Sequence, residues 1–586
     1  MSNKKWFFRN KKMNNQLASE FQIHPAIIKI LADRGIETEQ EINEYLHPDI
    51  KNVSDGSELT DMNKGVDIIY HAVKEKKYIR IMADYDVDGV TSAYILYKGL
   101  TELGAHCDKF IPHRITDGYG LHEKAVKDAY NAGVQVILTC DNGIAAVNEI
   151  KLAKELGMTV VVTDHHEIPY EVRHLSTTNN SANGNGEGAR HYIIPEADAV
   201  IDPKRPEDNL AFKEICGAVV AWKFIGCLYK KFEKEDEFKN SDFLEIASLG
   251  TVCDVMELLK DNRAIVTEGL KRMQNTNNIG LQAMLEVLGL KNIPLKAYDF
   301  GFRIGPCINA EGRLDTANEA FDLLVETDYQ KALEKATKMK ELNVERQNMT
   351  KDGMEEAFKI IDTEMQNDKV LVVYLPEVHE SIVGIIAGKV RERYNKPAFV
   401  LTKGEGDFLK GSGRSIEAYS MYEKLVEVKD LMLKFGGHPL AAGLSLKEEN
   451  LAEFRKQLNE RSGLIDADFI PKVMIDVIMP IDFLTQGFIK QLEILEPFGK
   501  GNEKPVFAQS NVRANRAEII GKNKNVLKIT FNSRNCKSGV CFNDIEEKEQ
   551  LLNQNGKLYD FKMLYYPTLN EWNGMTSIQA NVQDIC

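Results

Sequence analysis

Three groups of metal-type ligands each follow directly on a short apolar run: Asp84, Asp86 and Asp88 after residues 78–82, Asp141 after 136–138, and Asp164, His165 and His166 after 160–162. In a parallel α/β sheet, ligands and substrates collect outside the carboxyl ends of the strands. Strand ends carrying carboxylates and imidazoles would converge on one point, which is how a chain builds a metal site. A pair of divalent cations roughly 3.5 to 4 Å apart needs a bridging carboxylate and several terminal oxygen or nitrogen ligands, and it activates water against phosphoesters. Asp86, Asp88, Asp141 and His165, joined by Asp254 from further along, supply such a set. Hard carboxylates with a single imidazole favour manganese or magnesium over zinc. Alone, Asp84, Asp86 and Asp88 could be an exposed acidic turn; the equivalent placement of Asp141 and Asp164-His165-His166 weighs against that.

Such ligands need a scaffold, and the chain has the pattern of one. Residues 79–83 read as a buried strand, and Gly89 onward as a helix with Val90, Ala93, Tyr94, Leu96, Tyr97 and Leu100 at helical spacing, so the first βα turn carries the acids. A second strand at 109–111 leads to Pro112, His113 and Arg114 and a turn at Gly118 to Gly120. Strand 135–139, helix 144–156, strand 159–163 and strand 199–201 continue the alternation, predicting a parallel sheet with crossover helices. Between the last two strands, residues 176–189 are rich in Asn, Ser and Gly and read as a surface insertion. After Asp202 and Pro203 the chain turns helical at 211–229, 241–253 and 263–273, with Asp254 just past the second of these helices. Residues 316–365 form a charged helical stretch, longer than an ordinary helix unless broken once, that reads as a spacer between two lobes. Strand signals resume at 370–374 and 398–401, followed by a glycine turn at 411–413. From about Phe469 apolar and polar residues alternate between turn signals, which predicts a small β-barrel.

Composition limits the classes open to the chain. At 586 residues and 43% apolar content it can bury several cores, about three to four domains by length. The basic, aromatic start at residues 1–12 lacks an apolar core of signal-peptide length, and no later stretch approaches the roughly 20 apolar residues of a membrane span, so a cytoplasmic protein without a membrane anchor is expected. Nine cysteines without paired close spacings fit reduced thiols rather than a zinc ribbon or disulfide framework. The formal net charge of −14 argues mildly against a nucleic-acid partner as a global field. A cation site claims part of that negative charge for itself.

Local cations point the other way. Arg114 and Arg313 are candidates to clamp phosphates, since a guanidinium grips two oxygens at once; a structural salt bridge is the alternative for each. Residues 411–415 combine small residues, which let backbone N–H groups approach an anion, with the charge of Arg414 and the hydroxyl of Ser415. Gly436, Gly437 and His438 add a second close-approach turn and a donor. Within the tail, Arg513, Arg516, Lys522, Lys524, Lys528, Arg534 and Lys537 stand against the single acid Glu518. An oligonucleotide-binding barrel uses such residues on the backbone and aromatics as stacking platforms. Phe531 and Trp572 could stack bases or fill the core, and the alternating strand around Phe531 favours the core.

Asp84-Tyr85-Asp86-Val87-Asp88-Gly89, Asp141-Asn142-Gly143, Asp164-His165-His166 and Gly250-Thr251-Val252-Cys253-Asp254 resemble, in order, the motifs of the DHH phosphoesterase superfamily, and within it those of the bacterial RecJ exonucleases. Pro112-His113-Arg114, Gly118-Tyr119-Gly120, Asn309-Ala310-Glu311-Gly312-Arg313, Gly413-Arg414-Ser415, Gly436-Gly437-His438 and Pro497-Phe498-Gly499-Lys500-Gly501-Asn502 are similar to further segments of those proteins, and the match runs from about Leu46 to the end. The resemblance implies an α/β protein in which an N-terminal extension (1–60) precedes a parallel-sheet DHH phosphoesterase domain (61–315). A long helical connector (316–365), a second α/β, DHH-associated substrate-binding domain (366–465) and a C-terminal OB-fold β-barrel (466–586) would follow. It implies two Mn2+ or Mg2+ ions, one bound by Asp86 and Asp141 and the other by Asp88, Asp141, His165 and Asp254.

Some members of the superfamily carry a histidine where this chain has Met82, and a thioether is a poor ligand for a hard cation. Asp84 or water then completes the first site, or that ion binds more weakly. His166, beside the ligand His165, would contact the scissile phosphate or leaving oxygen, or else orient a ligand; with Asp141 and Asp84 it makes up the expected catalytic group. The resemblance further implies 5′-to-3′ digestion of single-stranded DNA to 5′ mononucleotides, through a hole that admits only an unpaired strand, in DNA repair and recombination. The implied protein is a monomer whose partners are a single-strand-binding protein and a RecQ-like helicase. Two rivals remain: a phosphodiesterase of short oligoribonucleotides or cyclic dinucleotides, against which the barrel and connector argue, and a non-catalytic single-strand-binding scaffold, against which the intact ligands argue.

Overall fold

Runs of apolar and β-branched residues form the first sheet. β1 (Tyr78–Met82), β2 (His106–Phe110), β3 (Val136–Thr139), β4 (Thr159–Thr163) and β5 (Ala199–Ile201) lie in the order β2-β1-β3-β4-β5, all neighbours parallel. A parallel sheet is covered on both faces, which is why Val160, Val161 and Val162 are all fully buried. The register pairs Met82 with Phe110 and Thr139, Leu138 with Val161, and Thr163 with Ile201, so the strand ends that precede the acids are level along one edge. The computed structural model describes residues 4–11, 14–114, 117–118, 120–173, 189–314, 316–404, 406–554, 557–558, 560–572 and 574–586. Tyr119 and most of the expected insertion at 176–189 lie outside them.

Three helices support this edge: α1 (Val87–Glu102), α2 (Gly217–Lys231) and α3 (Phe243–Cys253). Val90, Tyr94 and Leu96 of α1, Val219 and Phe224 of α2, and Leu249 of α3 share one core with Ile79, Ile81 and Leu138 of the sheet. α2 starts at Gly217, later than the expected position 211, because the amides of Gly217 and Ala218 are committed to a carboxylate of the site. The helix expected from 144 starts at Val147 for the same reason, the Ile144 amide donating to Asp164 Oδ2 at 2.8 Å. The expected break in the 316–365 stretch falls after the helix Asn318–Leu324, where the Thr327 and Asp328 amides turn to Glu326 Oε1 at 3.0 Å each. α4 (Tyr329–Glu364) then runs for 36 residues. No helix is long and apolar enough to cross a membrane among the described residues.

Contacts divide the chain into two units, one of residues 47–347 with 497–502, the other of 1–46, 348–496 and 503–586. The expected N-terminal extension therefore does not stand apart: its strand Lys5–Phe8 pairs in parallel with Lys472–Ile475, and Lys29 Nζ donates to the Asp476 carbonyl at 2.6 Å. In this second unit β6 (Leu371–Tyr374), β7 (Ala398–Lys403), β8 (Phe408–Arg414), β9 (Met432–His438) and β10 (Ala441–Lys447) form a mixed sheet in the order β9-β10-β8-β7-β6, parallel only between β6 and β7. The glycine turn expected at 411–413 is strand interior, paired on both sides. A Cβ on Gly413 would lie 2.5 Å from Met421 Sδ and 2.7 Å from Phe399 Cε1, so these glycines make room for packing rather than for a bend.

The C-terminal sheet has seven strands, β11 (Val477–Ile478), β12 (Phe507–Val512), β13 (Ala514–Ile520), β14 (Val526–Phe531), β15 (Ser538–Cys541), β16 (Phe561–Trp572) and β17 (Met575–Ile585). Its order is β11-β12-β16-β17-β15-β14-β13 where the small β-barrel is expected, the ladder running from β11 to β13 among the described residues. Phe531 is 3% exposed and packs over Gly539, where a Cβ would meet its ring at 2.7 Å, which makes it a core side chain. All nine cysteines are free thiols.

Candidate metal centre

The first βα turn positions three carboxylates by three devices. Asp86 caps α1, its Oδ1 accepting from the Gly89 amide at 3.1 Å. Gly89 has to be glycine, because a Cβ there would lie 2.4 Å from the Asp84 carbonyl oxygen. Asp88, on the first turn of α1, turns inward and is gripped by the N-terminus of α2: Gly217 N donates to its Oδ2 at 2.7 Å and Ala218 N to its Oδ1 at 2.9 Å.

Asp141 sits after β3 in the left-handed region, φ 59°. Such strain persists only where the surroundings over-determine it. Here the Asn142 amide donates to the Met82 and Cys140 carbonyls at 3.0 and 2.9 Å, and a Cβ on Gly217 would reach 2.7 Å from Asp141 Cβ. Met82 itself is buried in the apolar core, its carbonyl and not its sulfur serving the site. Asp254 closes the C-terminus of α3, and the chain leaves through Val255 at φ 57°.

These elements bring the strand-end ligands together. His165 Nε2 lies 3.0 Å from Asp141 Oδ1, 3.5 Å from Asp88 Oδ2 and 3.7 Å from Asp254 Oδ2. Three overlapping sets, Asp84-Asp86-Asp141, Asp88-His165-Asp254 and Asp141-His165-His166, each have ligand atoms within 4.8 Å of one another. Asp141 belongs to two of them. Burial, and then the repulsion of its neighbours, pushes Asp84 and Asp254 up to about 8 and raises Asp86 and Asp141 as well. Burial lowers His165. Asp84 Oδ1 is buried without a hydrogen-bond partner. Carboxylates this crowded, with a neutral imidazole among them and an acid oxygen awaiting a partner, fit hard divalent cations. The thiols of Cys140 and Cys216 are driven up by burial and then by the Asp88 charge, so they stay protonated and do not compete as ligands.

Asp164 is excluded from the ligand set by its own bonds. Its Oδ1 accepts from His166 Nδ1 and the His165 amide, both at 2.7 Å, and its Oδ2 from the Ile144 amide. Burial opposes the charged form of His166, but the bond to Asp164 and then the charges of Asp164, Asp254 and Asp88 carry it to about 9. Asp202, after β5, is a further buried strand-end acid, raised to about 7 by burial and then by Asp164. An acid straight after 199–201 carries the same signal as the other strand ends, and it went unused.

Beside the acids stand guanidinium groups. Arg114 lies 4.6 Å over the Tyr85 ring, and its charge draws Asp84 downward. Arg313 is lowered to about 10 by burial and then by the charges of Arg114 and Arg346. A Cβ on Gly312 would lie 2.7 Å from the Tyr85 carbonyl oxygen, so the segment before Arg313 is drawn against the acidic turn. Arg346, on α4, was hidden in what reads as spacer sequence, and nothing in its spacing marks it. A guanidinium set among the charges of two others, as Arg313 is, fits an anion site.

The remaining candidates lie in the other unit. Arg414 ends β8, with Nη1 donating to Ser412 Oγ at 3.0 Å and to the Gly413 carbonyl at 2.7 Å. Ser415 is buried and its hydroxyl donates to the Tyr419 carbonyl at 2.5 Å, fixing the turn after the strand. Gly436, Gly437 and His438 are the exposed end of β9, Gly437 with φ 147° and a would-be Cβ 2.4 Å from the Ala441 carbonyl oxygen.

Domain-family comparisons bear on this arrangement directly. The DHH family N-terminal domain matches residues 78–251, the DHHA1 domain 367–462 and the RecJ OB domain 475–584. A parallel sheet whose strand ends gather this acid and imidazole cluster is thus a DHH-type phosphoesterase domain. The chain is 32% identical over 572 residues to the single-stranded-DNA-specific exonuclease RecJ of Bacillus subtilis, covering 97% of this chain and 69% of that protein. A crystal structure of RecJ from Thermus thermophilus in complex with Mn2+ superposes with a TM-score of 0.81 at 25% identity, over 99% of this chain and 79% of that one. A second, in complex with Mg2+, shares the fold with a TM-score of 0.76 at 24% identity, over 99% of this chain and 78% of that one. The chain belongs to the RecJ family of exonucleases.

Proposed function

We propose that this protein digests single-stranded DNA from the 5′ end, releasing 5′ mononucleotides by two-metal hydrolysis, in DNA repair and recombination. The observation that carries the reading is Asp141, common to two ligand sets whose atoms lie within 4.8 Å. Asp84, Asp86 and Asp141 would hold one Mn2+ or Mg2+, and Asp88, Asp141, His165 and Asp254 the other. When bound, such a pair supplies an acidified water and neutralises charge on the phosphate oxygens.

The chain's own groups do the rest. Arg114 and Arg313 grip the phosphate oxygens and hold the ester in line. His166, with Nδ1 bonded to Asp164, presents the proton of Nε2 to the scissile phosphate or the leaving oxygen. In the DHH-associated domain, Arg414, Gly436, Gly437 and His438 hold the strand further along, and Ser415 fixes the turn that presents Arg414. The OB domain adds basic residues for the backbone. Polarity and product follow from the resemblance to RecJ, and single-strand specificity from the activity of the RecJ relatives. A cytoplasmic monomer working with a single-strand-binding protein and a RecQ-like helicase completes the reading.

Digestion of 5′-labelled and 3′-labelled single strands, with a duplex control, in manganese and then magnesium, tests it. Early release of labelled mononucleotide from the 5′ label alone, and none from the duplex, is expected. Release from the 3′ label first would reverse the polarity, and turnover of dinucleotides in preference to long strands would favour the small-substrate rival.

A further inference from the structure

Two features outside the metal centre are both attached to the chain just past the Asp254 helix end. The first is the segment 497–502, which packs with the 47–347 unit although the chain on either side of it belongs elsewhere. It is rigid: Gly499 and Asn502 exchange backbone hydrogen bonds at 3.1 Å, the buried Asn502 amide donates to the Pro497 carbonyl at 2.7 Å, and the Lys500 carbonyl accepts from the Leu258 amide at 2.9 Å. Gly499 and Gly501 permit the close approach, since a Cβ would lie 2.6 Å from Leu258 Cδ1 at the first and 3.3 Å from Glu257 Cβ at the second. At the tip, Lys500 is exposed, and its ammonium makes no hydrogen bond or ion pair among the described residues. Its charge reaches Asp254, which it draws downward.

The second feature is a stacked aromatic pair. Tyr298 and Phe302 are 63% and 68% exposed, with ring centroids 4.8 Å apart and planes inclined by 19°. Tyr298 precedes, and Phe302 lies within, a π-helical turn, Phe300–Ile304, of the kind often found at functional sites. That turn is clamped to the end of α3: Cys253 Sγ donates to the Phe300 carbonyl at 3.5 Å, and a Cβ on Gly305 would lie 2.4 Å from that sulfur. Ala297, next to Tyr298, packs on Leu258 in a small core with Val266, and Leu258 is the residue that carries the Lys500 strap. A free cation and an exposed aromatic stack are therefore fixed to the same side chain, four positions from Asp254.

We infer that Lys500, Tyr298 and Phe302 form a nucleotide subsite for the single strand beside the scissile position, the lysine taking a phosphate and the rings an unpaired base. Large exposed rings cost solvation unless something covers them, and a nucleobase covers a ring face whatever its sequence. The adjacent ammonium selects a polyanion over an apolar protein surface. The inference rests on the nuclease reading above.

The test compares wild type with Tyr298→Ala/Phe302→Ala, Phe302→Leu and Lys500→Ala. The substrates are a single strand of about 20 nucleotides and the p-nitrophenyl ester of thymidine 5′-phosphate, which is too short to reach the subsite. The double aromatic variant should raise KM for the strand about tenfold, with kcat and small-ester turnover within about twofold. Phe302→Leu, which keeps an apolar side chain but no ring, should raise KM in the same direction. Lys500→Ala should flatten the slope of log KM against log salt by about 0.7, and Lys500→Arg should restore it. Unchanged KM and salt slope would overturn the subsite, and so would equal losses on strand and ester, which would place these residues in the reaction itself. Anisotropy of a labelled strand separates the two readings: if wild type cleaves neither substrate yet binds the strand more tightly than the variants, the nuclease reading falls and the subsite stands.

Discussion

The metal centre and the C-terminal sheet both concentrate like charge, and they handle it in opposite ways. At the centre, Asp84, Asp88 and Asp141 are buried against one another, and the carboxyl groups of Asp84 and Asp141 are forced up by burial and mutual repulsion. On the sheet, the basic run is mostly exposed and its first two cations are already answered: Arg513 Nε lies 3.0 Å from Asp560 Oδ1, and Arg516 Nη2 lies 2.6 Å from Glu518 Oε2. Asp560 falls outside the stretch from 513 to 537, so the run looks more basic in sequence than it is in space. Charge of one sign marks a site where it is desolvated and lacks a counter-charge; exposed and paired, it contributes little.

The largest expected difference between the two regions is catalytic. Asp141→Ala should reduce turnover by at least about 10³-fold, because it removes the ligand proposed to serve both ions. The same substitution should raise the metal-free melting temperature by relieving repulsion. A fall in melting temperature without metal would mean that Asp141 is held chiefly by its backbone surroundings.

Stability against pH separates the regions next. Asp84 and Asp254 stand at about 8 in the folded chain against 3.8 in the ordinary state, so the folded chain holds protons that the unfolded chain has released. Metal-free stability should be greatest below about pH 4 as far as these groups are concerned, and should fall by on the order of a few kcal/mol as pH rises toward 8. Added Mn2+ should reverse the fall, as a ligand of the folded state does. Denaturant titrations with and without chelator measure both; metal-free stability that rises over this window would contradict the crowding of these acids.

Smaller effects follow. Asp164→Asn removes the negative charge that holds His166 protonated and aimed, so kcat should fall about 10- to 100-fold while KM stays nearly constant. An unchanged kcat would make Asp164 a backbone brace only. Arg516→Ala, on the exposed sheet, should cost less than about 0.5 kcal/mol of stability. A loss several times larger would show that this pair is not the screened surface contact it is taken to be.

Most of the candidate ligands could be read in the sequence because they follow strands, where apolar runs announce the ends and parallel pairing puts them on one edge; Asp254 follows a helix instead. The same logic covered Asp202, whose preceding run of Ala199, Val200 and Ile201 is short enough to overlook. What could not be read comes from residues whose role depends on distant backbone. Gly217 matters because α2 starts at Asp88, and Arg346 because the middle of α4 brings its charge to Arg313; neither position has a local signature. Gly411 and Gly413 misled because glycine marks both turns and tight packing, and only the neighbours Leu401, Phe399 and Met421 distinguish the two. The first 46 residues looked separate because strand pairing across more than 400 positions leaves no trace in local pattern.

Crystals grown in Mn2+ and recorded at the manganese edge test the central claim most directly. Two anomalous peaks roughly 3.5 to 4 Å apart, with Asp141 touching both, Asp84 and Asp86 on one side, and Asp88, His165 and Asp254 on the other, is the result expected. A single peak, or two that share no ligand, would contradict it.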